Sequence, residues 1–349
     1  MTLECAMCGS FVCRGGNREA GPENCPMHDD FPDFRELYRT EEDLRLAVRA
    51  ALVEGEGYCR WTRLREVAEF CRIMEVERLG LAHCPDMARE ASLVASFLRG
   101  AGLEPLLPPS PLRCEPVEQA RFFEEQDTEL NLLAGMCVGH EARFVRASAA
   151  PATALVARDR RLRHNPVAAL YTSRSYLKNE VFGHWPASER PAFRGWDDEI
   201  LEEVAREALT RGHGHRSRLG EAMDVAHRMG ATHIGISFCV GFREEARILT
   251  GILQTNGFRV SSACCKTGAV PKEETGIRDS QKVRPGRKEM ICNPLAQAEL
   301  LNREKVEFAL VLGQCVGHDA ATFGRLEAPA ACLVAKDRVL AHNTVAAFH

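Results

Sequence analysis

The apolar residues of this chain alternate between helical spacing and short continuous runs. Leu64, Val67 and Cys71 recur at the intervals of one helix face, and a short apolar run at 79–82 follows them. Further short apolar runs predict strands at 130–134, 152–157, 234–238, 308–312 and 330–335. Helices that alternate with such strands are typical of parallel sheets covered on both faces, so we predict an α/β fold.

The chain also repeats itself, and the positions that match best are cysteines. Three cysteines of the first copy correspond to three of the second: Cys84 to Cys239, Cys114 to Cys292 and Cys137 to Cys315. The offset is 155 for the first pair and 178 for the other two, so the second copy carries 23 extra residues. This insert contains Cys264 and Cys265, which have no counterpart in the first copy.

The repeat divides the chain into four predicted segments. They are a cysteine-rich module at 1–40, a first and divergent α/β repeat at 41–171, a linker at 172–195 and a second α/β repeat at 196–349. A chain of 349 residues is long enough for two domains that each bury a core. We therefore predict two similar three-layer domains with parallel sheets, behind a small N-terminal metal knuckle.

Composition narrows the class of protein. The net charge is -4, and no run approaches the roughly 18 apolar residues of a membrane helix, so we expect neither nucleic acid nor a membrane as partner. Residues 1–5 lack the basic start of a secretory signal, which predicts a cytoplasmic protein. Fifteen cysteines in a reducing compartment favour metal ligands or redox groups over disulfides.

The N-terminal cysteines have the spacing of a metal site. They follow the pattern C-x2-C-x4-C-x11-C: Cys5, Cys8, Cys13 and Cys25. Two close thiols and two later ones can surround a tetrahedral ion, and both zinc and iron sites use four thiolates. A segment this short has little core, so we expect a bound zinc or iron ion to fold it.

The second repeat offers the larger set of thiols. Cys239 and Cys315 follow predicted strands, at the edge where α/β sheets bind ligands, and Cys292 precedes a predicted helix whose free N–H groups stabilise thiolates. With Cys264 and Cys265 there are five candidate ligands, and a [4Fe–4S] cluster needs four, or three with one open iron. We predict such a cluster here, and zinc or buried thiols without metal stay open as alternatives.

The first repeat offers fewer ligands. It has Cys84, Cys114 and Cys137, which suit an open metal site or one that has decayed. His140 and His318 each stand three residues after a candidate ligand, where they can bind metal, hydrogen-bond to a cluster sulfur or cap the next helix. This asymmetry predicts that the active centre lies in the second repeat.

The insert is locally basic. Residues 262–289 carry seven positive and four negative side chains in an acidic protein. We expect a basic loop over the site, which suits a small anionic substrate or an acidic redox partner. The sequence has no glycine-rich nucleotide loop and no serine-hydrolase elbow.

Several stretches resemble a known family. They are Cys5–Cys8, Pro22–Pro26, Cys292–Asn302, Gly313–Asp319 and Val334–Asn343. At these residues the chain resembles a prokaryotic domain-of-unknown-function family of uncharacterised cysteine-rich metal-binding proteins, here with an internal duplication. The resemblance implies metal binding and gives no reaction.

These observations favour an iron–sulfur protein with a redox or electron-transfer role on a small anionic substrate or partner. An iron–sulfur oxidoreductase is its enzymatic form. A non-catalytic zinc carrier or sensor is the rival from a different class, and cluster-dependent sulfur or thiol chemistry is a third hypothesis.

Overall fold

Two parallel sheets lie at the centre of the computed structural model, which describes residues 3–28, 33–112, 114–182, 185–212 and 214–348. The strands of the first sheet are β1 Arg78–Ala82, β2 Glu104–Leu106, β3 Leu130–Ala134 and β4 Ala152–Val156. The strands of the second are β5 His233–Phe238, β6 Arg259–Cys264, β7 Phe308–Leu312 and β8 Ala330–Val334. Their orders, β2-β1-β3-β4 and β6-β5-β7-β8, are equivalent, and the predicted α/β fold with its internal repeat is confirmed.

Helices cover both faces of each sheet. They are α1 Phe34–Leu37, α2 Glu41–Gly57, α3 Arg63–Met74, α4 Ala88–Gly100, α5 Pro116–Glu125, α6 Val138–Ala147, α7 Val167–Tyr171, α8 Lys178–Val181, α9 Asp198–Gly212, α10 Arg218–Arg228, α11 Arg243–Thr255, α12 Pro294–Arg303 and α13 His318–Arg325. Hydroxyl side chains cap α2, α3 and α10 at Thr40, Thr62 and Ser217, because each accepts a bond from a free backbone N–H. No helix among the described residues is long and apolar enough to cross a membrane.

The strands β3, β4, β7 and β8 are buried at every position, as expected for a parallel sheet covered on both sides. The apolar pattern did not predict the edge strands β2 and β6. The first has only three residues and contains Pro105, and the second contains Ser261 and Ser262. These serines are buried, and their polar groups are satisfied because Ser261 bonds to His233 and Ser262 pairs with the N-terminal segment.

One buried arginine joins the helix α3 to both sheets. The side chain of Arg63 pairs with Asp319 at 2.6 Å and is fully buried. It also donates to the carbonyl oxygens of Ala154 and Gln314, at 2.9 and 2.7 Å. The guanidinium therefore links β4 of the first sheet to α13 of the second.

A second arginine occupies the equivalent place, 155 positions later. Arg218 begins α10 and pairs with Glu141 at 2.6 Å, again fully buried. It donates to the carbonyl oxygens of Cys332 and Met136, at 2.7 and 2.9 Å. The two repeats are thus joined by the same contact in both directions, and each carboxylate is paired in the interior.

Candidate metal centres

Four thiols meet at the carboxyl edge of the second sheet. Cys239 follows β5, Cys265 follows β6, Cys315 follows β7, and Cys292 stands just before the helix α12. The sulfur atoms of Cys265 and Cys292 are 3.7 Å apart, and Cys265 also contacts the thiol of Cys239. All four are buried. The parallel strands therefore place distant cysteines at one point, as open α/β sheets do with their ligand-binding residues.

Two lysines place positive charge among these thiols, and Lys336 is buried while Lys266 is half-buried. The ammonium nitrogen of Lys336 lies 3.0 Å from Sγ of Cys239 and 3.1 Å from Sγ of Cys315. The ammonium nitrogen of Lys266 lies 3.3 Å from Sγ of Cys292. An ammonium group has donors only, and burying it costs free energy unless negative charge lies beside it. The contacts therefore stabilise thiolates.

The pKa values of the thiols show the same polarity. A hydrogen bond from Cys265, together with the charge of Lys336, lowers the pKa of Cys239 to about 6 despite burial. Cys265 likewise lowers the pKa of Cys292 well below its ordinary value, with Lys266 adding to the effect. The pKa of Cys265 itself is raised, first by its bond to Cys239. Cys239 and Cys292 are therefore readily deprotonated, and a thiophilic metal binds thiols in that form.

His318 lies beside the thiols at the first turn of α13. Burial disfavours its charged form, but the charge of Cys292, with that of Cys315, raises the pKa of the imidazole to about 10. Its Nε2 atom lies 3.0 Å from the carbonyl oxygen of Ala47 on α2. The ring is therefore held by the first repeat while it faces the thiols of the second.

The helix α2 covers the same centre. Glu54 of α2 forms an ion pair with Arg338, whose guanidinium lies 3.7 Å from Sγ of Cys315. The ring of Tyr58 lies 4.5 Å from the carbon centre of that guanidinium. On this side, the thiols of the second repeat are therefore covered by a helix that belongs to the first repeat.

A cleft of about 260 Å³ opens beside this centre. Its charged and aromatic lining comes from three parts of the chain: Arg14, Glu54, Tyr58, Lys266, Lys272, Arg284, Arg287, Lys288 and Glu289. Two lysines of the predicted basic loop are buried in ion pairs, Lys272 with Glu289 at 3.0 Å and Lys282 with Asp279 at 2.8 Å. The basic character of the insert is thus partly neutralised, and Lys266, Arg284, Arg287 and Lys288 keep positive charge in the lining of the cleft.

The N-terminal thiols form a neighbouring group. Cys5, Cys8, Cys13 and Cys25 line one cavity of about 30 Å³, and Cys264 from the end of β6 lines it with them. The two cysteines of the insert therefore face different groups of thiols while their own sulfur atoms contact each other, which the spacing did not predict.

The first repeat has a smaller and tighter group. The ligand atoms of Cys84, Cys137 and His140 all lie within 4.8 Å of one another, and all three residues are buried. Cys114 is exposed and stands outside this group. Across the described residues no other set of three candidate ligands is as compact. The thiols of the second repeat and of the N-terminal cavity are more widely spread, and the ammonium group of Lys336 contacts two of those in the second repeat.

Sequence reasoning named the thiols but not the lysines. Lys336 occupies the position of Arg158 in the other repeat, whose charge acts on Cys84 and Cys137. A basic residue two positions after a mostly apolar strand in both copies was the available signal. Lys266 gave none, since it stands among many charges of the insert.

The chain matches the family described as "Protein of unknown function (DUF1847)" at residues 25–107, 109–155 and 190–333, which take in strands of both sheets. An uncharacterised protein of Methanocaldococcus jannaschii is 30% identical over 200 residues, which covers 52% of this chain and all of that protein. The predicted membership of a domain-of-unknown-function family is thus confirmed, and the description of that family names no metal.

Two solved structures show a weak likeness. Dph2 from Pyrococcus horikoshii with a 4Fe-4S cluster is 14% identical with a TM-score of 0.22, over 74% of this chain and 54% of that one. This chain thus spans about half of its length. A second Dph2 structure from the same organism is 12% identical with a TM-score of 0.25, over 78% of this chain and 88% of that one. Similarity at this level does not bear on the centres described above.

Proposed function

Since the chain belongs to the family described as protein of unknown function (DUF1847), whose description gives no activity, we propose a function from its own cysteines. The protein is an iron–sulfur protein with its cluster in the second repeat, and it serves redox chemistry or electron transfer on a small anion. Cys239, Cys265, Cys292 and Cys315 hold the cluster.

The observation that carries this proposal is the pair of lysines, one buried and one half-buried, that contact these thiols. Lys266 and Lys336 contact three of the four sulfur atoms at 3.0 to 3.3 Å. A cluster ligated by four thiolates is negatively charged, and hydrogen bonds to its sulfurs help to set its reduction potential. The fit is chemical: soft thiolate ligands, compensating charge and burial are all present.

The surroundings favour iron over a structural zinc ion. Structural zinc contributes folding energy to segments with little core of their own. The second sheet has a core that does not depend on metal, since β7 and β8 are buried at every position. A buried thiolate centre next to a basic cleft is better placed for chemistry on a bound anion than for holding the fold together.

The anion is expected in the cleft of about 260 Å³. When bound, an iron–sulfur cluster supplies one electron at a time. Arg284, Arg287 and Lys288 would attract the anion, while Lys266 reaches from the cleft lining to the sulfur of Cys292. The chain would thus place negative substrate charge next to the centre.

The test compares three cysteine variants of the full chain after anaerobic purification. Cys315→Ser should lose most of the visible absorbance and iron of the second centre, because it removes a ligand. Cys137→Ser, at the equivalent place in the first repeat, should keep most of that iron. Cys59→Ser serves as the control, since Cys59 is exposed and lies outside the groups of thiols described above.

Stoichiometric zinc without visible absorbance would contradict the proposal and favour a zinc carrier or sensor. An equal loss of iron in Cys137→Ser and Cys315→Ser would contradict the assignment of the centre to the second repeat.

A further inference from the structure

The adjacent cysteines at the end of β6 have different neighbours. The thiol of Cys264 contacts that of Cys13, and Cys264 lines the cavity of the N-terminal cysteines. The sulfur of Cys265 lies 3.7 Å from that of Cys292 and accepts a hydrogen bond from the backbone of Val240 at 3.2 Å. The two thiols also contact each other, so the end of β6 joins the N-terminal thiols to those of the second repeat.

The N-terminal module is docked on this same strand. The backbone N–H of Ser262 donates to the carbonyl oxygen of Leu3 at 2.7 Å, and its hydroxyl accepts from the N–H of Ala6 at 2.9 Å. Arg18 donates to the carbonyl oxygen of Gly268 through Nε, at 2.9 Å. The module therefore extends the edge of the second sheet and reaches the insert.

The chemistry of the cavity suits a thiophilic cation. Five thiols line it, and a tetrahedral site needs four. The thiol of Cys264 contacts that of Cys13, and the thiol of Cys5 contacts the backbone of Cys264. The cavity volume of about 30 Å³ exceeds the roughly 10–15 Å³ that one small occupant needs.

We infer that Cys264 is a ligand of the N-terminal metal, so that the module and β6 hold one thiophilic ion between them. The inference rests on the metal proposed for the module and is independent of iron in the second repeat. Each thiol that binds releases its proton to solvent, so the step needs no oxidant or reductant.

Metal binding at this site holds the module against β6 and thereby completes the lining of the basic cleft. Arg14 belongs to the module and lines the cleft next to Lys266 and Arg287. Met27 of the module packs against Ala269 and Met290 of the insert. Because a segment this small has little core, metal binding supplies the order that fixes Arg14 in place. Loading of the N-terminal site thereby shapes the surroundings of the second centre.

The adjacent cysteines give a matched test in the full chain. Zinc content and competition with a chromophoric zinc chelator measure the ion, and trypsin cleavage after Arg14 and Arg18 measures docking of the module. Cys264→Ser should behave as Cys13→Ser does, with at least about tenfold weaker zinc binding and faster cleavage. Cys265→Ser should keep the zinc and the protection of the module.

Wild-type protein supplies a measurement that does not depend on folding of a variant. A chelator should expose Arg14 and Arg18 to trypsin, and added zinc should restore protection. The inference is wrong if Cys264→Ser keeps the zinc affinity and protection of the wild type, or if Cys264→Ser and Cys265→Ser lose the same metal. It is also wrong if chelation leaves cleavage unchanged. Absence of iron from the second centre would contradict only the proposed function.

Discussion

Replacement of Arg218 by methionine tests the contact that joins the two repeats. The guanidinium is fully buried, 2.6 Å from a carboxylate oxygen of Glu141, and it also donates to three carbonyl oxygens. Methionine fills similar space without charge or donors. The variant leaves Glu141 buried without its cation, and only the N–H of Cys332 still donates to it.

Removal of one partner of a buried ion pair typically costs about 3–5 kcal/mol. In the variant the loss cannot exceed the free energy of protonating Glu141, since a protonated carboxyl needs no cation. An unperturbed glutamate has a pKa near 4.3, so protonation costs about 1.4 kcal/mol for each pH unit above that value. The limit at pH 7 is therefore about 4 kcal/mol, and at pH 6 it is about 2.5 kcal/mol. In the variant the pKa of Glu141 is raised in the folded state, so the variant protein loses stability as the pH rises.

Urea unfolding at pH 7 and pH 6 measures this free energy. We expect Arg218→Met to lose about 3–4 kcal/mol at pH 7 and less at pH 6, with much of the loss recovered by adding Glu141→Leu. Arg63→Met should show a similar loss, because Arg63 pairs with Asp319 at the same distance. Arg194→Met breaks a solvent-exposed pair and should cost far less than either of these variants. A loss below 1 kcal/mol in Arg218→Met, or no recovery in the double variant, would refute the reasoning.

Three further predictions concern single groups. Lys336→Met should lower the midpoint potential of the second centre by on the order of 100 mV, because the positive charge beside two thiolates favours the reduced state. A redox titration measures this shift, with Lys336→Arg as the control that keeps the charge. Burial lowers the pKa of both His164 and His342 to about 4, so stability is expected to fall as the pH drops from about 6.5 towards 4, and replacement of both by asparagine should flatten that fall in urea unfolding. Cys84→Ser should abolish cobalt–thiolate absorption from the first repeat while Cys114→Ser keeps it, and equal effects would contradict the compact group.

The apolar pattern predicted most of the strands because they are buried on both faces. The predicted bounds of β3 and β7 agree with those of the structure. It did not predict β6, since the burial of Ser261 and Ser262 depends on partners far away in the chain. Parallel strands also explain why Cys239 and Cys315 meet, because their carboxyl ends share one edge.

Other features depend on contacts that a pattern cannot contain. The ammonium group of Lys336 lies among thiols only because β8 ends beside β7. Cys264 faces the N-terminal thiols and Cys265 contacts Cys292, a difference that depends on where the N-terminal module docks. The cover that α2 gives to the second centre depends on Glu54 and its ion pair with Arg338, 284 positions away. Helical spacing predicts such a helix and leaves its tertiary partner open.

Iron and acid-labile sulfide in the anaerobically purified full chain test the central claim most directly. A [4Fe–4S] cluster in the second repeat predicts about four iron and four sulfide per chain, with more if the N-terminal site also binds iron. The sulfur of Cys292 contacts both Lys266 and Cys265, so Cys292→Ser should lose the iron of the second centre. Zinc in place of iron, with no sulfide and no visible absorbance, would contradict the account.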